Sequence, residues 1–172
     1  YMNLIIKSYR IVRKIKTKKI AIIGAGWFGC HIANELKKKN FNIVIFEKEK
    51  DIFANGSGNN TNRLHLGYHY PRSKITRKMS YNGYKKFIKK YPKFSKPLEK
   101  NIYALAKDNS NRMTPKAFEK SIRESKLKLS NISLNNIKLT NIVKAYNTNE
   151  RQVDHIKAKN FFKKNLKENI LF

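Results

Sequence analysis

The 172-residue chain is poor in the residues that build disulfide frameworks and metal centres. Cys30 is the only cysteine, so the chain forms no internal disulfide and holds no thiolate cluster. Histidine, aspartate and glutamate do not occur at metal-ligand spacing, so the sequence predicts no metal site. A single thiol is typical of a reducing compartment, and we expect a cytoplasmic protein.

Long apolar runs are also missing from this sequence. No stretch approaches the roughly 20 apolar residues that cross a bilayer, which indicates a soluble protein. Residues 1–18 form a basic N-terminal extension whose apolar part is too short and too charged for a secretory signal. Two interpretations of this extension stay open: weak contact with an anionic membrane surface, or an upstream segment without a role of its own.

Acidic residues are scarce, because 11 aspartates and glutamates face 39 lysines and arginines, for a net charge of +28. Such a charge is typical of proteins that bind nucleic acid or anionic membranes. Arginine, which contacts phosphates and bases bidentately, supplies only 8 of these basic residues, and they are scattered. We therefore interpret the lysine excess as compositional and predict no specific nucleic-acid partner.

Glycine is scarce as well, yet three of the seven glycines fall into one motif. Residues 24–29 read GxGxxG directly after the apolar run 20–23, and a second apolar run at residues 43–46 ends at Glu47. Between them the pattern predicts a helix with Phe28, Ile32 and Leu36 on one face. Strand, glycine turn, helix, strand and acid in this order predict a dinucleotide-binding βαβ unit.

Each glycine of the motif has a physical role in that unit. Gly24 permits the tight turn, Gly26 lets a pyrophosphate approach the backbone, and Gly29 lets the helix pack close to the strand. The helix N-terminus then directs unpaired N–H groups at the phosphates. The alternative is a buried βαβ unit whose glycines serve packing alone.

Glu47 narrows the choice of nucleotide. A carboxylate at the end of the second strand accepts hydrogen bonds from ribose hydroxyls and repels a 2′-phosphate. NADP is therefore disfavoured, while NAD and FAD both remain open. The alternative for Glu47 is a solvated charge at the end of a strand.

The segment that follows the βαβ unit favours FAD. Residues 54–62 are small and amide residues typical of a loop, and residues 63–73 hold two of the four histidines. The βαβ unit and the stretch from Gly56-Ser57 to His65-Leu-Gly67-Tyr-His-Tyr70 together resemble FAD-dependent oxidoreductases of the D-amino acid oxidase (DAO) superfamily. The loop is similar to that of the glycerol-3-phosphate and L-2-hydroxyglutarate dehydrogenase branches.

This resemblance implies FAD as the cofactor and a defined set of contacts to it. Serine and asparagine supply neutral donors and acceptors on short side chains, and Arg63 can pair with a phosphate. An asparagine-rich surface turn is the alternative for the loop. The implied cofactor-binding residues are Gly24, Ala25, Gly26, Trp27, Phe28, Gly29, Glu47, Lys48, Ser57, Asn60, Asn62, Arg63 and Leu64.

The resemblance also implies oxidation of a C–N or C–O bond of a small-molecule substrate by hydride transfer to flavin. His65 and His69 are candidate general bases or flavin-ring partners, since imidazole titrates near neutral pH. Arg72 or Arg77 is a candidate for holding a substrate carboxylate. Two other functions remain open: an NAD-dependent dehydrogenase with the same βαβ unit, and a basic nucleic-acid-binding or membrane-binding module.

The fold class expected is α/β: a Rossmann-like FAD-binding βαβ domain with an inserted mixed α+β substrate-side region. We predict an FAD-binding part at residues 19–98, the start of the substrate-side region at 99–148, and a helix returning to the FAD domain at 149–172. Superfamily members continue well beyond the equivalent of Phe172, so we expect a truncated chain. A helix is predicted at 74–91, where an apolar series that begins at Met79 is ended by Pro92. Asp154 is predicted to cap a last helix whose buried side is Ile156, Phe161, Phe162 and Leu166. Further predicted elements are a strand at 101–107, a helix opened by Thr114-Pro115, strands around Ile137 and 142–145, and a strand starting at Ile170.

Overall fold

A computed structural model describes residues 19–107, 113–133 and 140–172. The predictions for residues 1–18 and for a strand around Ile137 lie outside these ranges. The strands are β1 (Lys19–Ile23), β2 (Asn42–Phe46), β3 (Arg63–Leu64), β4 (Ser95–Pro97), β5 (Ile102–Ala106), β6 (Ser130–Asn131), β7 (Ile142–Asn147), β8 (Arg151–Val153) and β9 (Ile170–Leu171). The helices are α1 (Trp27–Lys38), α2 (Lys74–Lys90), α3 (Pro115–Glu124) and α4 (His155–Leu166).

The chain divides into two compact units. The first comprises the residues up to Asn62 together with His155–Phe172, and the second comprises Arg63–Asp154. The sequence places the end of the cofactor-binding part at residue 98, whereas the units divide after Asn62. The reason is strand pairing, because β3 and β4 both pair antiparallel with β8, far along the chain.

The first unit is a parallel three-stranded sheet with two helices. Its strand order is β1-β2-β9, and both pairs are parallel, as the predicted βαβ unit requires. The apolar end of the chain forms β9, which confirms the strand predicted to start at Ile170. The sheet core includes Ile43 and Ile45 of β2.

Helix α1 turns small residues inward. Its buried residues are Cys30, Ala33 and Asn34, and it packs on β2 and on α4. The apolar residues that the sequence places on one face are largely in solvent, since Phe28 is 80% and Ile32 48% exposed. Burial raises the pKa of Cys30 to about 12, which makes this thiol a packing residue.

Helix α4 begins directly after Asp154, where the sequence places it. Phe162 and Leu166 are buried as predicted, together with Ala158. Ile156 is 62% exposed, so its predicted burial is wrong. Residues 158, 162 and 166 follow an i, i+4 spacing, and a residue two positions before Ala158 points to the opposite side of the helix.

The second unit combines two antiparallel three-stranded sheets, β3-β8-β4 and β5-β7-β6, with α2 and α3. Thr114 caps α3 by accepting a hydrogen bond from the Ala117 N–H at 3.2 Å, as the Thr-Pro pair predicts. Helix α2 ends before Pro92 as predicted, but Met79, placed in its apolar series, is 68% exposed. The core consists of Leu66, Tyr68, Phe118, Ile122 and Tyr146.

Residues 19–107, 113–133 and 140–172 contain neither a helix that could span a membrane nor a metal-binding cluster. No helix in them is both long and apolar enough to cross a membrane. No group of three or more histidine, cysteine, aspartate or glutamate residues in them is placed to hold a metal ion.

Candidate functional site

The glycine turn between β1 and α1 has the geometry that its sequence predicts. Gly24 has φ of 91°, a left-handed conformation that favours glycine, and its N–H donates to the Phe46 carbonyl at 2.8 Å. A Cβ on Gly29 would overlap the carbonyl oxygen of Gly24 and lie 3.5 Å from Ile22 Cγ2. The helix therefore approaches the strand and turn at a distance that only glycine allows.

A side chain from the loop after β2 caps the N-terminus of α1. Gly26 is the N-cap and supplies no side chain, and the Trp27 N–H donates to Ser57 Oγ at 2.8 Å. A Cβ on Gly26 would lie 3.1 Å from the same oxygen. The Ser57 hydroxyl and the helix N-terminus thus form one polar surface, with no acidic residue in the first turn of the helix.

Glu47 is fixed at the end of β2 by backbone groups. Its Oε2 accepts from the Ala25 N–H at 2.6 Å and its Oε1 from the Glu49 N–H at 3.0 Å. These two hydrogen bonds hold the pKa of Glu47 below its usual range. The carboxylate is therefore ionised and oriented at neutral pH, with further lone pairs for accepting hydrogen bonds.

A cavity of about 360 Å³ lies beside the turn and Glu47. Of the residues predicted to bind a dinucleotide, Gly24, Gly26, Glu47, Lys48 and Ser57 line it. Ala25, Trp27, Phe28 and Gly29 lie in the same turn and first turn of the helix. Sequence reasoning missed the remaining lining residues, which are Ile23, Phe46, Phe53, Ala54, Asn55 and Gly56.

The sequence contains a signal for two of these apolar lining residues. Ile23 and Phe46 are the last residues of β1 and β2, and ligands of parallel sheets bind beyond the carboxyl ends of the strands. Phe53 has no such signal. Its ring packs on Trp27 and Phe162 with centroid distances of 5.6 and 5.9 Å, a contact between distant parts of the sequence.

The other loop residues predicted to contact FAD are placed differently. The Asn60 side chain donates to the Gly56 carbonyl, and its Oδ1 accepts from the Asn62 N–H at 2.5 Å. Both asparagines thereby stabilise the loop itself. Arg63 and Leu64 form β3 and belong to the second unit. Their contact with a cofactor stays a prediction.

In the second unit, the candidate base His65 faces a buried carboxylate. Its Nδ1 lies 3.3 Å from Oε2 of Glu150, a residue that is 1% exposed. The same carboxylate accepts from the Leu66 N–H at 2.7 Å and from the Tyr103 hydroxyl at 2.9 Å. Burial alone would raise the pKa of Glu150, but the hydrogen bonds with His65, Leu66 and Tyr103 hold it below its usual range.

Glu150 is not among the candidate residues that the sequence indicates. Glu150 lies 85 positions after His65, so no local pattern connects the two residues. Burial and the nearby carboxylate raise the pKa of Tyr103 well above its ordinary value, so its phenol remains a donor. The only available signal was a lone acid at the start of a short strand.

The two other candidate catalytic residues lie on the same loop as His65. The His69 ring is exposed and stacks on the His65 ring with a centroid distance of 5.3 Å. Tyr70 meets both rings edge-on, at 6.5 Å from His65 and 5.4 Å from His69. Arg72 is exposed. The structure thus brings His65 and His69 together and leaves the Arg72 side chain in solvent.

Arg77 is engaged by the protein. It is 3% exposed, and its Nε donates to Ser125 Oγ at 2.7 Å. Its Nη1 donates to the backbone carbonyls of Tyr70 and Pro71. These hydrogen bonds engage the Arg77 guanidinium with the loop that carries Arg72. Of the two candidate arginines, Arg72 is the one that a substrate can reach from solvent.

The residues around the glycine turn fit the ADP-ribose half of FAD. The turn leaves room for close approach of a pyrophosphate at the helix N-terminus, and Glu47 presents an ionised acceptor for ribose hydroxyls. The cavity between them is lined by both features. The donors and acceptors around the cavity are therefore compatible with a bound dinucleotide.

Comparisons with known proteins agree with this geometry. The family model described as FAD dependent oxidoreductase (DAO) matches residues 19–128. The chain is 41% identical over 111 residues to the FAD-dependent monooxygenase kojA of Aspergillus flavus, covering 62% of this chain and 26% of that protein. It is 39% identical over 64 residues to a glycerol 3-phosphate dehydrogenase of Caloramator mitchellensis, covering 37% of this chain and 13% of that protein.

A solved structure shows the same fold at low sequence identity. L-alpha-glycerophosphate oxidase from Mycoplasma pneumoniae with FAD bound matches with a TM-score of 0.67 and 17% identity, over 90% of this chain and 44% of that one. The chain spans about a quarter of the length of the monooxygenase relative from Aspergillus flavus. From the family match over most of its length, together with the dinucleotide site, the chain belongs to the DAO family of FAD-dependent oxidoreductases, enzymes whose cofactor is FAD.

Proposed function

We propose that this chain provides the ADP-ribose site and a catalytic base of an enzyme that oxidises a C–N or C–O bond of a small molecule. The observation that carries the proposal is the Glu47 carboxylate, ionised and held by the Ala25 N–H at the cavity beside the glycine turn. The stacked His65 and His69 supply the candidate proton acceptor in the second unit.

The binding half of the proposal assigns three contacts. Glu47 accepts hydrogen bonds from the adenosine ribose hydroxyls. The N–H groups at the start of α1 and the Ser57 hydroxyl bind the pyrophosphate, which the helix dipole favours at this end. Gly26 leaves the space for that approach.

The chemical half of the proposal assigns proton transfer to the histidine loop. Bound FAD supplies an acceptor for the hydride of a substrate C–H bond. His65 takes the proton of the neighbouring hydroxyl or amine, since imidazole is the side chain most often used for proton transfer at neutral pH. Arg72 binds an anionic group of the substrate from its solvent-exposed position.

Replacement of Glu47 tests the binding half. Glu47→Arg removes the ribose acceptor and adds a like charge next to Lys48, so the affinity of the full chain for FAD should fall about 10- to 100-fold. The measurement is an equilibrium titration followed by the quenching of flavin fluorescence. Glu35→Arg is the matched control, because it makes the same charge change on α1 at a residue paired with Lys38.

The control variant should bind FAD like the parent chain. A parent chain that purifies colourless and takes up no added FAD would contradict the proposal as a whole. Equal FAD affinity of Glu47→Arg and the parent chain would remove the role assigned to Glu47.

The similarity to kojA, which is named an FAD-dependent monooxygenase, favours a second candidate, the insertion of an oxygen atom from O₂ into the substrate. Labelled O₂ separates the two with the whole protein, since only a monooxygenase transfers the label into the organic product. An NAD-dependent dehydrogenase and a basic binding module are not favoured, because the family that matches residues 19–128 uses FAD.

A further inference from the structure

The second unit buries a carboxylate that needs an explanation. Glu150 has a fully buried side chain, whereas 30% of the His65 side chain is exposed. Burial of a charge is costly unless hydrogen bonds or an opposite charge compensate for it. Among the groups described as donating to Glu150, only His65 can become a cation.

The carboxylate is held in one orientation by several donors. Its Oε1 accepts from the Leu66 N–H at 2.7 Å. Its Oε2 accepts from the Tyr103 hydroxyl at 2.9 Å and the Asn101 amide at 3.3 Å. The same Asn101 amide donates to Thr148 Oγ1 at 2.7 Å, which fixes the side chain that contacts the carboxylate. Glu150 is therefore rigid before any substrate is present.

The rigid carboxylate determines where His65 carries its proton. The Tyr103 hydroxyl also lies 3.4 Å from Nδ1, but it donates its proton to the Glu150 carboxylate at 2.9 Å. An ionised carboxylate only accepts hydrogen bonds, so its 3.3 Å contact with Nδ1 favours protonation of that nitrogen. In the neutral ring the lone pair then resides on Nε2. The stacked His69 ring and the edge of Tyr70 restrict rotation of the His65 ring, which keeps Nδ1 on the carboxylate.

We propose that Glu150 is a positioning residue that keeps the proton of neutral His65 on Nδ1 and presents the Nε2 lone pair to the substrate hydroxyl or amine. The inference rests on the proposed function, which makes His65 the base. The proton leaves the hydroxyl or amine and binds Nε2, so the ring becomes an imidazolium whose charge the adjacent carboxylate stabilises. Glu150 itself never gains or loses the proton.

If Glu150 had only a structural role, it would not determine which nitrogen of the His65 ring carries the proton. In that case the carboxylate serves to accept the Leu66 N–H, and the His65 tautomer is free to vary. The position of the ring proton therefore separates the two roles, and it can be read without FAD or substrate.

The direct test is nitrogen-15 NMR of the full chain with labelled histidine, at a pH where the rings are neutral. Two-bond proton–nitrogen correlations show which ring nitrogen of each histidine is protonated. The His65 signals are those that disappear in His65→Gln. We expect protonated Nδ1 and unprotonated Nε2 for His65; a predominant Nε2-protonated ring would overturn the proposal.

Two variants extend the test to catalysis in the whole protein. Glu150→Gln replaces the carboxylate by an amide and should shift the His65 tautomer and lower kcat about 10-fold or more, with KM changed less than about 2-fold. Glu119→Gln is the matched control, since Glu119 is a carboxylate of the same unit that pairs with Lys144 and Tyr146. It should leave both readouts unchanged.

The outcomes separate this inference from the proposed function. Unchanged tautomer and kcat in a folded Glu150→Gln variant would overturn the positioning role, while FAD uptake would remain governed by Glu47. Loss of folding in that variant leaves the parent-chain tautomer as the deciding result. If the tautomer is as expected but His65→Gln retains full kcat, the base assignment fails and this inference fails with it.

Discussion

At the scale of single residues, the candidate cofactor site depends on two glycines that have no Cβ. Gly29 lacks the Cβ that would overlap the Gly24 carbonyl, and Gly26 lacks the one that would crowd Ser57 Oγ at 3.1 Å. These absences let the chain bring a helix N-terminus, a hydroxyl and the Glu47 carboxylate around one cavity. The glycine spacing predicted this arrangement because each glycine has a steric role that other residues do not fill.

Gly29→Ala tests this steric account. The added methyl group would force α1 away from the turn, so we expect the first unit to lose about 1–3 kcal/mol of unfolding free energy and FAD affinity to fall. Thermal unfolding and flavin titration measure the two effects. The control is Gly83→Ala in α2, where nothing lies within 4 Å of an added Cβ and alanine should stabilise the helix by about 0.5–1 kcal/mol.

Equal stability of Gly29→Ala and the parent chain would show that the turn can relax around a methyl group. The packing role of Gly29 would then be wrong. Weaker FAD binding without any loss of stability would instead confine its role to the cofactor site.

At the scale of helices and strands, local sequence signals predicted the elements better than they predicted which residues are buried or which strands pair. Apolar runs predicted β1 and β2, and the Thr114-Pro115 pair predicted the start of α3, because these signals act within a few residues. The exposure of Ile156 and Met79 was not predictable, since it depends on which side of each helix meets a neighbour. Strands β3, β4 and β8 are two or three residues long and depend on pairing between distant segments.

An ion-pair cluster links α4 to the loop after β2. Asp51 contacts Lys159 and Lys163 of α4 at 2.9 and 2.8 Å. Burial alone would raise the pKa of Asp51, but the hydrogen bonds from Lys163 and Lys159 outweigh it and lower the pKa from 3.8 to about 2. A lowered folded-state pKa contributes stability above the unfolded value, and this contribution is lost as the pH falls towards about 2.

Asp51→Asn should therefore destabilise the full chain at neutral pH, and its effect should shrink as the pH falls from 3.8 towards about 2. Because the Asp51 side chain is 35% exposed, solvent screens both pairs, and we expect a loss of about 0.5–2 kcal/mol. Thermal unfolding across this pH range provides the measurement. Glu35→Gln, which breaks an exposed pair within α1, should change stability by less than about 0.5 kcal/mol.

A pH-independent difference between Asp51→Asn and the parent chain would contradict the electrostatic explanation. The loss could not then be assigned to the charge of Asp51, and it would come from altered packing or altered hydrogen-bond geometry of the side chain, including its contact with the Ile52 N–H.

At the scale of the whole molecule, two compact units share one chain. The βαβ part of the first unit follows from short-range patterns in the sequence, and five of the residues predicted to bind a dinucleotide line its cavity. The second unit was only outlined, because its core and the pairing of His65 with Glu150 join residues far apart in sequence. The net charge of +28 gave no indication of the cofactor, whereas the family that matches residues 19–128 is FAD dependent.

The central claim is that Glu47 and the glycine turn form the ADP-ribose site for FAD. Its most direct test is competition at equilibrium, with FAD bound to the full chain and followed by flavin fluorescence while ADP-ribose or 2′-phospho-ADP-ribose is added. We expect ADP-ribose to displace FAD, and we expect the 2′-phosphate to weaken displacement at least 10-fold because it meets the ionised Glu47 carboxylate. Equal displacement by the two competitors, or a chain that binds no FAD at all, would contradict it.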